Sequence, residues 1–142
     1  MATTRTATTN WKGALLDGSG SVSLDSSGVG TFDVSWPSRA EEPNGKTSPE
    51  ELIAAAHSSC FSMFLSSVLA KAGTPPQSLE TKADVTFQPG EGITGIVISV
   101  RAQVPGITAE QFQASAETAK SGCPVSQALA ATPISLNAEL LS

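Results

Sequence analysis

The sequence predicts an α+β fold in which antiparallel β-sheets wrap around one long central helix. Two observations support this prediction. Short segments on both sides of residues 47–71 alternate apolar and polar residues with a period of two, as half-buried strands do. Residues 47–71 (TSPEELIAAAHSSCFSMFLSSVLAK) form the one long run that no strong helix breaker interrupts after its first residues. We assign residues 1–142 to a single domain, because a chain of this length has room for one hydrophobic core.

The central helix is predicted for about residues 48–72. Ser48 can cap its N-terminus, Pro49 suits the first helical position, and Glu51 completes a capping box. Gly73 can adopt the left-handed conformation that ends helices, and two prolines follow shortly after it. Because the middle of the segment is apolar or small on nearly every side, we expect this helix to be buried all round.

Strands are predicted on both sides of the central helix. A three-stranded β-meander fits about residues 8–36, where five glycines separate short alternating segments. Residues 37–46 (PSRAEEPNGK) are predicted to form a polar loop. About residues 78–141 follow the order ββααβ, with a hairpin, a surface helix that has a capping box at Thr108, a short helix that opens at Cys123-Pro124, and a final strand.

Composition excludes several classes of function. The net charge of −5 and the lack of a basic stripe argue against a nucleic-acid partner and against binding to an anionic membrane. The N-terminus has no signal-peptide core and no apolar run approaches a membrane span, so we expect a cytoplasmic protein. Two cysteines and one histidine cannot complete a four-ligand zinc site without carboxylates, so we expect no metal. No dinucleotide or Walker motif is present, and we expect no cofactor.

The two cysteines are the candidate reactive groups. Without a leader, a cysteine pair is more often catalytic or inert than a structural staple. Cys60, near the middle of the predicted helix, could be only a small buried hydrophobe. Cys123 lies at a helix N-terminus, where the dipole and free N–H groups favour a thiolate. His57 shares a helical face with Cys60, but an i, i+3 pair on a rigid helix shuttles protons poorly, so we favour a buried, hydrogen-bonded histidine.

Two charged residues have ordinary explanations when each is taken alone. An arginine in a polar loop, such as Arg39, is usually solvated, and a glutamate in the first turn of a helix usually interacts with the helix dipole. Glu51 already has a structural role as the capping-box partner of Ser48. Glu50, beside it, is left without such a role.

The segment TSPEELIAAAHSSCFSMFLS, together with SGCPVSQAL further along the chain, resembles the OsmC/Ohr family of thiol peroxidases. That family comprises the osmotically inducible protein C and the organic hydroperoxide resistance proteins. The likeness extends to the W-x-G at Trp11–Gly13, to the PGI at Pro105–Ile107 and to the closing strand. His57 three residues before Cys60, and the valine that follows Cys123-Pro124, resemble the OsmC branch.

The resemblance implies an intertwined homodimer with active sites at the subunit interface. It implies Cys60 as the peroxidatic thiol and Cys123 as the resolving thiol, with Arg39 and Glu50 in the positions that assist Cys60. The implied reaction reduces organic hydroperoxides to alcohols through a Cys60 sulfenic acid and a Cys60–Cys123 disulfide, with hydrogen peroxide as a further candidate substrate. A dithiol then reduces the disulfide, and the family points to a lipoyl-type reductant.

Elementary electrostatics is consistent with these roles. A thiol of pKa ~8.5 is only about 3% thiolate at pH 7, and lowering the pKa by about two units takes ~2.7 kcal/mol. One guanidinium at ~4 Å in an effective dielectric of ~20 supplies about 4 kcal/mol before desolvation. On one unbroken helix Glu50 and Cys60 are ~15 Å apart, so either the helix is broken or Glu50 acts on the other subunit's site. We predict that the active site needs the dimer.

Two other functions remain open at this point. One is a non-enzymatic module that binds a hydrophobic ligand, in which Cys60 only lines the pocket. The other is an acyl-transfer enzyme that uses Cys60 and His57. For the peroxidase, apolar side chains near Cys60, with Phe61, Met63 and Phe64 as candidates, would favour alkyl or aryl tails. One equivalent of an organic hydroperoxide should consume both thiols together only in the peroxidase.

Overall fold

Six strands and four helices are formed by residues 1–141, the part of the chain that the computed structural model describes. This α+β architecture confirms the predicted fold class. In chain order the elements are β1 (Thr8–Lys12), β2 (Ser19–Ser23), β3 (Thr31–Val34), α1 (Trp36–Ala40), α2 (Pro49–Lys71), β4 (Ser78–Gln88), β5 (Gly92–Gln103), α3 (Ala109–Gly122), α4 (Pro124–Ala128) and β6 (Ile134–Leu141). The chain forms two units, Met1–Leu52 and a second that begins at Ile53.

The first unit is built on an antiparallel sheet of strand order β1-β2-β3. Trp11 on β1 is the cross-strand partner of Gly20 on β2. A Cβ atom added to Gly20 would lie 2.8 Å from the Trp11 ring, so glycine leaves room for the indole to lie across the neighbouring strand. Trp11 Nε1 also donates a hydrogen bond to Gly13 O at 2.9 Å, which fixes the orientation of the ring.

The polar loop predicted for residues 37–46 is wrong at its start, because Trp36–Ala40 form the short helix α1. A local signal accounts for this helix. Ser38 N donates to Ser35 Oγ at 3.2 Å and Ser35 N donates to Ser38 Oγ at 3.0 Å, which makes a complete capping box. The box is easily missed because its second member is a serine rather than the usual glutamate or glutamine. As a result Arg39 lies in a helix and not in a loop.

Helix α2 is continuous from Pro49 to Lys71. The predicted cap is confirmed, since Glu51 N donates to Ser48 Oγ at 3.1 Å. The other half of the predicted capping box is replaced, because the Glu51 carboxylate accepts a hydrogen bond from Thr47 Oγ1 at 2.6 Å. The donor to the Glu51 carboxylate is therefore the Thr47 hydroxyl group and not, as predicted, the backbone N–H of Ser48.

The end of α2 is a Schellman motif. Gly73 has a φ of 86°, which confirms the predicted left-handed residue. Thr74 N donates to Leu69 O at 2.9 Å and Gly73 N donates to Ala70 O at 3.0 Å. These two bonds satisfy carbonyl groups that the helix itself leaves without partners.

Burial along α2 differs from the prediction. One stripe at four-residue spacing is 0% exposed and consists of His57, Phe61, Leu65 and Leu69. The opposite face is exposed and includes Ala55, Ser59, Met63 and Ser67, with Met63 73% exposed. The described chain therefore covers one face of α2 rather than all of it. Apolar composition suggested complete burial. It does not distinguish a helix face that the same chain covers from a face that is exposed in the single chain.

By length and composition, α2 would also be long and apolar enough to cross a membrane. The sequence did not suggest such a span, because serines interrupt the apolar run. A single helix of this kind is weak evidence for a membrane protein, since the core helix of a soluble protein meets the same criterion.

The second unit contains a sheet of strand order β4-β5-β6. Strands β4 and β5 form the predicted antiparallel hairpin, whose turn includes Gly90 and Gly92 with φ values of 87° and 104°. The last pair departs from the expected antiparallel arrangement, because β5 and β6 are parallel. Helices α3 and α4 connect them. This crossover returns the chain to the end of the sheet at which β5 begins, as a parallel pair requires.

The core of the second unit is formed by α2, β5 and α3. Every second residue of β5 points into it, as predicted, and α3 adds three residues at helical spacing. The fully or nearly fully buried members are Phe61, Leu65, Leu69, Ile96, Ile98, Val100, Ala102, Val104, Phe112, Ala116, Ala119 and Cys123. Cys123 is therefore part of the core as well as a candidate site residue.

We expect Leu65→Ala to lower the free energy of unfolding by about 2–5 kcal/mol, because Leu65 is 0% exposed and its loss leaves a cavity. Leu65→Met, which nearly conserves volume at the same position, should cost less than about 1.5 kcal/mol. Urea unfolding followed by circular dichroism measures both values. Equal, small losses for the two variants would contradict the assigned core.

Candidate active site

The two cysteines meet within the second unit. Cys60 lies on α2 and Cys123 at the junction of α3 and α4, 63 residues further along the chain. Their Sγ atoms are 2.9 Å apart, and Cys123 Sγ donates to Cys60 Sγ. Both are free thiols, with Cys123 buried and Cys60 partly exposed. A solute can therefore reach Cys60 more readily than Cys123.

The Gly-Cys-Pro junction makes a tight corner between two helices. Cys123 ends α3, where its N–H donates to Ala119 O at 3.0 Å, and it also precedes α4, which begins at Pro124. Proline suits the first position of a helix because the N–H it lacks would have no partner there. The Cys123 side chain makes no capping hydrogen bond to α4. Its sulfur faces Cys60 instead, which differs from the expected role at the helix N-terminus.

The surroundings of Cys60 in this chain do not activate its thiol. Burial raises the pKa of the Cys60 thiol above its ordinary value, and the hydrogen bond with Cys123 raises it further. A hydrogen bond to the backbone of Val125 acts in the opposite direction. Because the net direction is upward, the protonated thiol dominates at neutral pH. A nucleophilic thiolate would need a positive charge that this arrangement does not supply.

Arg39 and Glu50 are joined in the first unit. Arg39 Nε is 3.1 Å from both carboxylate oxygens of Glu50, and Arg39 Nη2 is 2.9 Å from Oε2. The Glu50 side chain is 8% exposed and that of Arg39 is 31% exposed, so a buried carboxylate holds a partly exposed guanidinium. Because two nitrogens of the guanidinium bond to the same carboxylate, its direction is fixed as well as its position.

Helix α1 is the element that makes this ion pair possible. Ser38 Oγ donates to Thr47 O at 3.1 Å, which ties α1 to the segment immediately before α2. Arg39 follows Ser38, and Glu50 lies in the first turn of α2. Both residues were candidates from the sequence, but the short helix that brings them together was not predicted. The signal that could have found it is the capping serine pair around Trp36-Pro37.

A largely apolar cavity of about 360 Å³ lies in the first unit. Two tryptophans and Arg39 are among the side chains in its wall, which consists of Thr9, Trp11, Leu15, Val22, Val34, Ser35, Trp36, Arg39, Pro49 and Leu52. The apolar contacts expected next to Cys60 are arranged differently, since Phe61 is enclosed in the core and Met63 lies on the exposed face of α2. The apolar surface available to the organic group of a ligand therefore lies beside Arg39 and not at Phe61.

His57 is buried and hydrogen-bonded, as predicted. It is 0% exposed, and its Nε2 is 2.7 Å from Ser126 Oγ. Nδ1 has no partner among residues 1–141, so neither ring nitrogen bonds to Cys60 and a Cys–His dyad is not formed. Burial lowers the pKa of His57, which keeps the imidazole neutral. Sequence reasoning missed Ser126, although it belongs to the quoted GCPVS motif.

No group of three or more His, Cys, Asp or Glu side chains that could hold a metal ion occurs in the described range 1–141. The chemistry available in this part of the chain is that of the thiol pair, the arginine–glutamate pair and the cavity beside it. A thiol pair in contact is suited to the formation of a disulfide, and a guanidinium is suited to the stabilisation of an anion.

Comparison with known proteins identifies the family of the chain. Residues 42–139 match the family described as OsmC-like protein. The chain is 43% identical over 136 residues to Peroxiredoxin OsmC of Escherichia coli (strain K12), with 94% of each chain covered. It is 31% identical over 109 residues to organic hydroperoxide resistance protein OhrA of Bacillus subtilis (strain 168), which covers 74% of this chain and 77% of that one.

A solved structure shows the same fold. The organic hydroperoxide resistance protein from Elizabethkingia anophelis superposes with a TM-score of 0.70 at 28% identity and covers 99% of this chain and 100% of that chain. Similarity to a peroxiredoxin over most of the chain supports an enzyme of the peroxidase class. The family match and the curated relatives confirm the resemblance carried by the helix signature and the GCPVS motif, and the chain belongs to the OsmC-like protein family.

Proposed function

We propose that the protein is a two-cysteine peroxidase that reduces organic hydroperoxides to alcohols. The observation that carries this proposal is the 2.9 Å separation of Cys60 Sγ and Cys123 Sγ. In the first half-reaction the Cys60 thiolate attacks the distal peroxide oxygen and the O–O bond breaks. The leaving alkoxide takes up a proton and departs as the alcohol, and Cys60 becomes a sulfenic acid.

In the second half-reaction the Cys123 sulfur attacks the sulfur of the Cys60 sulfenic acid. The S–S bond forms, the S–O bond breaks, and the oxygen leaves as water. A disulfide needs the two sulfurs at ~2.05 Å, so they have less than about 1 Å to travel. A dithiol then reduces the disulfide by exchange, and we propose a lipoyl-type reductant.

We assign Arg39 to the activation of Cys60, in a homodimer. The raised pKa of the Cys60 thiol requires a cation, and Glu50 holds the guanidinium of Arg39 in a fixed direction. Glu50 and Cys60 are ten residues apart on the continuous helix α2, a rise of about 15 Å. We therefore propose that Cys60 of one chain meets Arg39 of the partner subunit. The exposed apolar face of α2, where Met63 is 73% exposed, supports contact with a second subunit.

The substrate we propose carries an alkyl or aryl group. The cavity between Trp11 and Trp36, with Arg39 in its wall, supports an apolar tail whose peroxide group lies beside the guanidinium. The name of the Bacillus relative, organic hydroperoxide resistance protein, also supports this substrate class. Hydrogen peroxide remains a further candidate, and the cytoplasmic location stays a prediction.

A second candidate function is a binding module for hydrophobic ligands. The apolar cavity and the raised pKa of the Cys60 thiol favour it, because a protonated thiol is a poor nucleophile. The two candidates differ in what happens to the thiols when a hydroperoxide is added.

One equivalent of cumene hydroperoxide should remove both thiols of the reduced protein and produce an intramolecular Cys60–Cys123 disulfide. Cys60→Ser should abolish the reaction, because it removes the nucleophile. Cys123→Ser should still consume one equivalent, but it should accumulate sulfenic and then sulfinic acid, since no second thiol can close the disulfide. Thiol titration and intact mass spectrometry measure these outcomes. Two free thiols after treatment of the wild type would leave the binding module as the function.

Arg39→Gln should raise the pKa of the Cys60 thiol and slow its alkylation at pH 7 by about 10- to 30-fold, because the thiolate loses its cation. The pH dependence of iodoacetamide labelling measures the change. Arg101→Gln is the matched control, since Arg101 lies on β5 of the second unit and pairs with Glu80 and Glu139 at the surface. Equal labelling profiles for wild type and Arg39→Gln would rule out Arg39 as the activating cation.

A mixture of Arg39→Gln and Cys60→Ser chains separates action across the dimer from action within one chain. If Arg39 acts on the other subunit, each mixed dimer has one intact site. Random mixing in equal amounts should then restore about a quarter of wild-type peroxidase activity. If Arg39 acts within its own chain, no mixed dimer has an intact site and activity should stay at the level of the separate variants.

A further inference from the structure

We propose that His57 and Ser126 are positioning residues for disulfide formation. Their hydrogen bond holds the segment that carries Cys123 against helix α2, so that the two sulfurs remain in contact. This inference rests on the proposed function, because it concerns the second half-reaction. Neither residue touches the peroxide, and neither is a catalytic residue in that sense.

The segment Gly122–Ser126 lies along one face of α2 at three successive points. His57, Cys60 and Phe64 are spaced i, i+3 and i+7, which places them on the same side of a helix. Their partners are Ser126, Cys123 and Gly122, in that order. The sulfur contact is therefore the middle of three contacts, with one support on each side of it.

The support on one side is a close apolar contact. A Cβ atom added to Gly122 would lie 2.7 Å from Cζ of Phe64, which is closer than such atoms approach. Only glycine therefore lets the Phe64 ring lie against the backbone immediately before Cys123. This contact limits how far the segment can move along α2, but it offers no directional bond.

The support on the other side is polar and directional. His57 is 0% exposed, Ser126 is 4% exposed, and Nε2 lies 2.7 Å from Oγ. Within residues 1–141, Nδ1 has no partner, so the bond to Ser126 is the one hydrogen bond of the imidazole. A buried imidazole with only one of its two nitrogens bonded is a costly way to fill space. The direction that the bond to Ser126 imposes gives the buried imidazole a role beyond filling space.

The segment needs such a support because it is short. Helix α4 has five residues, too few for a helix that is stable by itself. Ser126 lies in this helix, three residues after Cys123. If the His57–Ser126 bond is lost, α4 can shift and carry Cys123 Sγ away from Cys60 Sγ. Displacements of about 1 Å are enough to slow a reaction by about 100-fold.

The test separates the two half-reactions in a single turnover. Reduced protein is mixed with one equivalent of cumene hydroperoxide, quenched at intervals, and analysed by mass spectrometry after dimedone trapping and thiol alkylation. Loss of the Cys60 thiol reports the first half-reaction, and formation of the Cys60–Cys123 disulfide reports the second. Ser126→Ala and His57→Phe remove the bond while nearly conserving volume.

We expect the rate of Cys60 thiol loss to stay within about twofold of wild type in both variants. The rate of disulfide formation should fall at least about tenfold, because a buried hydrogen bond is lost. Trapped sulfenic acid should rise accordingly, and excess hydroperoxide should convert more Cys60 to sulfinic acid. The double variant should be no slower than the slower single variant, because both changes remove the same bond.

Two controls keep the outcome interpretable. Ser121→Ala makes the same chemical change at an exposed position two residues before Cys123, and both of its rates should match the wild type. Ser126→Thr retains the hydroxyl group and should recover the disulfide rate relative to Ser126→Ala. Circular dichroism and thermal unfolding identify any variant that has lost its fold. If either Ser126→Ala or His57→Phe is unfolded, the rates of the other variant decide whether the positioning role holds.

The possible failures are distinct. Wild-type disulfide rates in both Ser126→Ala and His57→Phe would overturn the positioning role and leave the peroxidase intact. Equal slowing of both half-reactions would also overturn it, since it would indicate a general structural role. A wild-type chain that consumes no thiol would instead refute the proposed function.

Discussion

The contact between two sulfur atoms that are distant in sequence is the constraint on which the rest of the site depends. Cys60 is carried by a helix, and Cys123 by the corner between two others, so their meeting requires α2 and the α3–α4 corner to pack in one arrangement. The buried stripe of α2 and the core residues of α3 enforce that arrangement. Stability and chemistry are therefore linked, because Cys123 is both a core residue and a partner of Cys60.

The same packing creates an electrostatic difficulty. Placing Cys60 against the core keeps its thiol protonated, since burial disfavours the thiolate. The ion pair of Arg39 with the buried Glu50 carboxylate belongs to the other unit of the chain. The proposed site, assembled from two chains, would resolve this difficulty in physical terms. The Arg39 guanidinium is already oriented by the buried Glu50 carboxylate. In the proposed dimer it would offset the desolvation of the Cys60 thiol when the two groups are brought together.

His57 shows how one sequence feature can support different hypotheses. Its spacing from Cys60 is compatible with a dyad, yet the imidazole bonds to Ser126 and leaves Cys60 to Cys123. A helix face has several possible partners, and sequence spacing says only which residues share that face. The segment that docks on it decides which contact each residue makes. Here the docked segment is GCPVS, whose serine had no assigned role before its position was known.

The sequence by itself determined the elements whose signals are local. These include the cap of α2 at Ser48, its end at Gly73, the hairpin at Gly90 and Gly92, and the inward face of β5. Capping, turn chemistry and alternation involve residues close in the chain, so they can be read from it. The family signature and the identity of Cys60, Cys123, Arg39 and Glu50 as candidates also came from the sequence.

Only the tertiary structure decided how these elements meet. It showed the parallel pairing of β6, the half-exposed surface of α2 and the hydrogen bond from His57 to Ser126. It also revealed helix α1, whose serine capping box is a local signal that the usual pattern overlooks, and the ion pair that this helix allows. Apart from α1, these features depend on contacts between residues far apart in the chain, whose free energy depends on packing and desolvation rather than on sequence spacing.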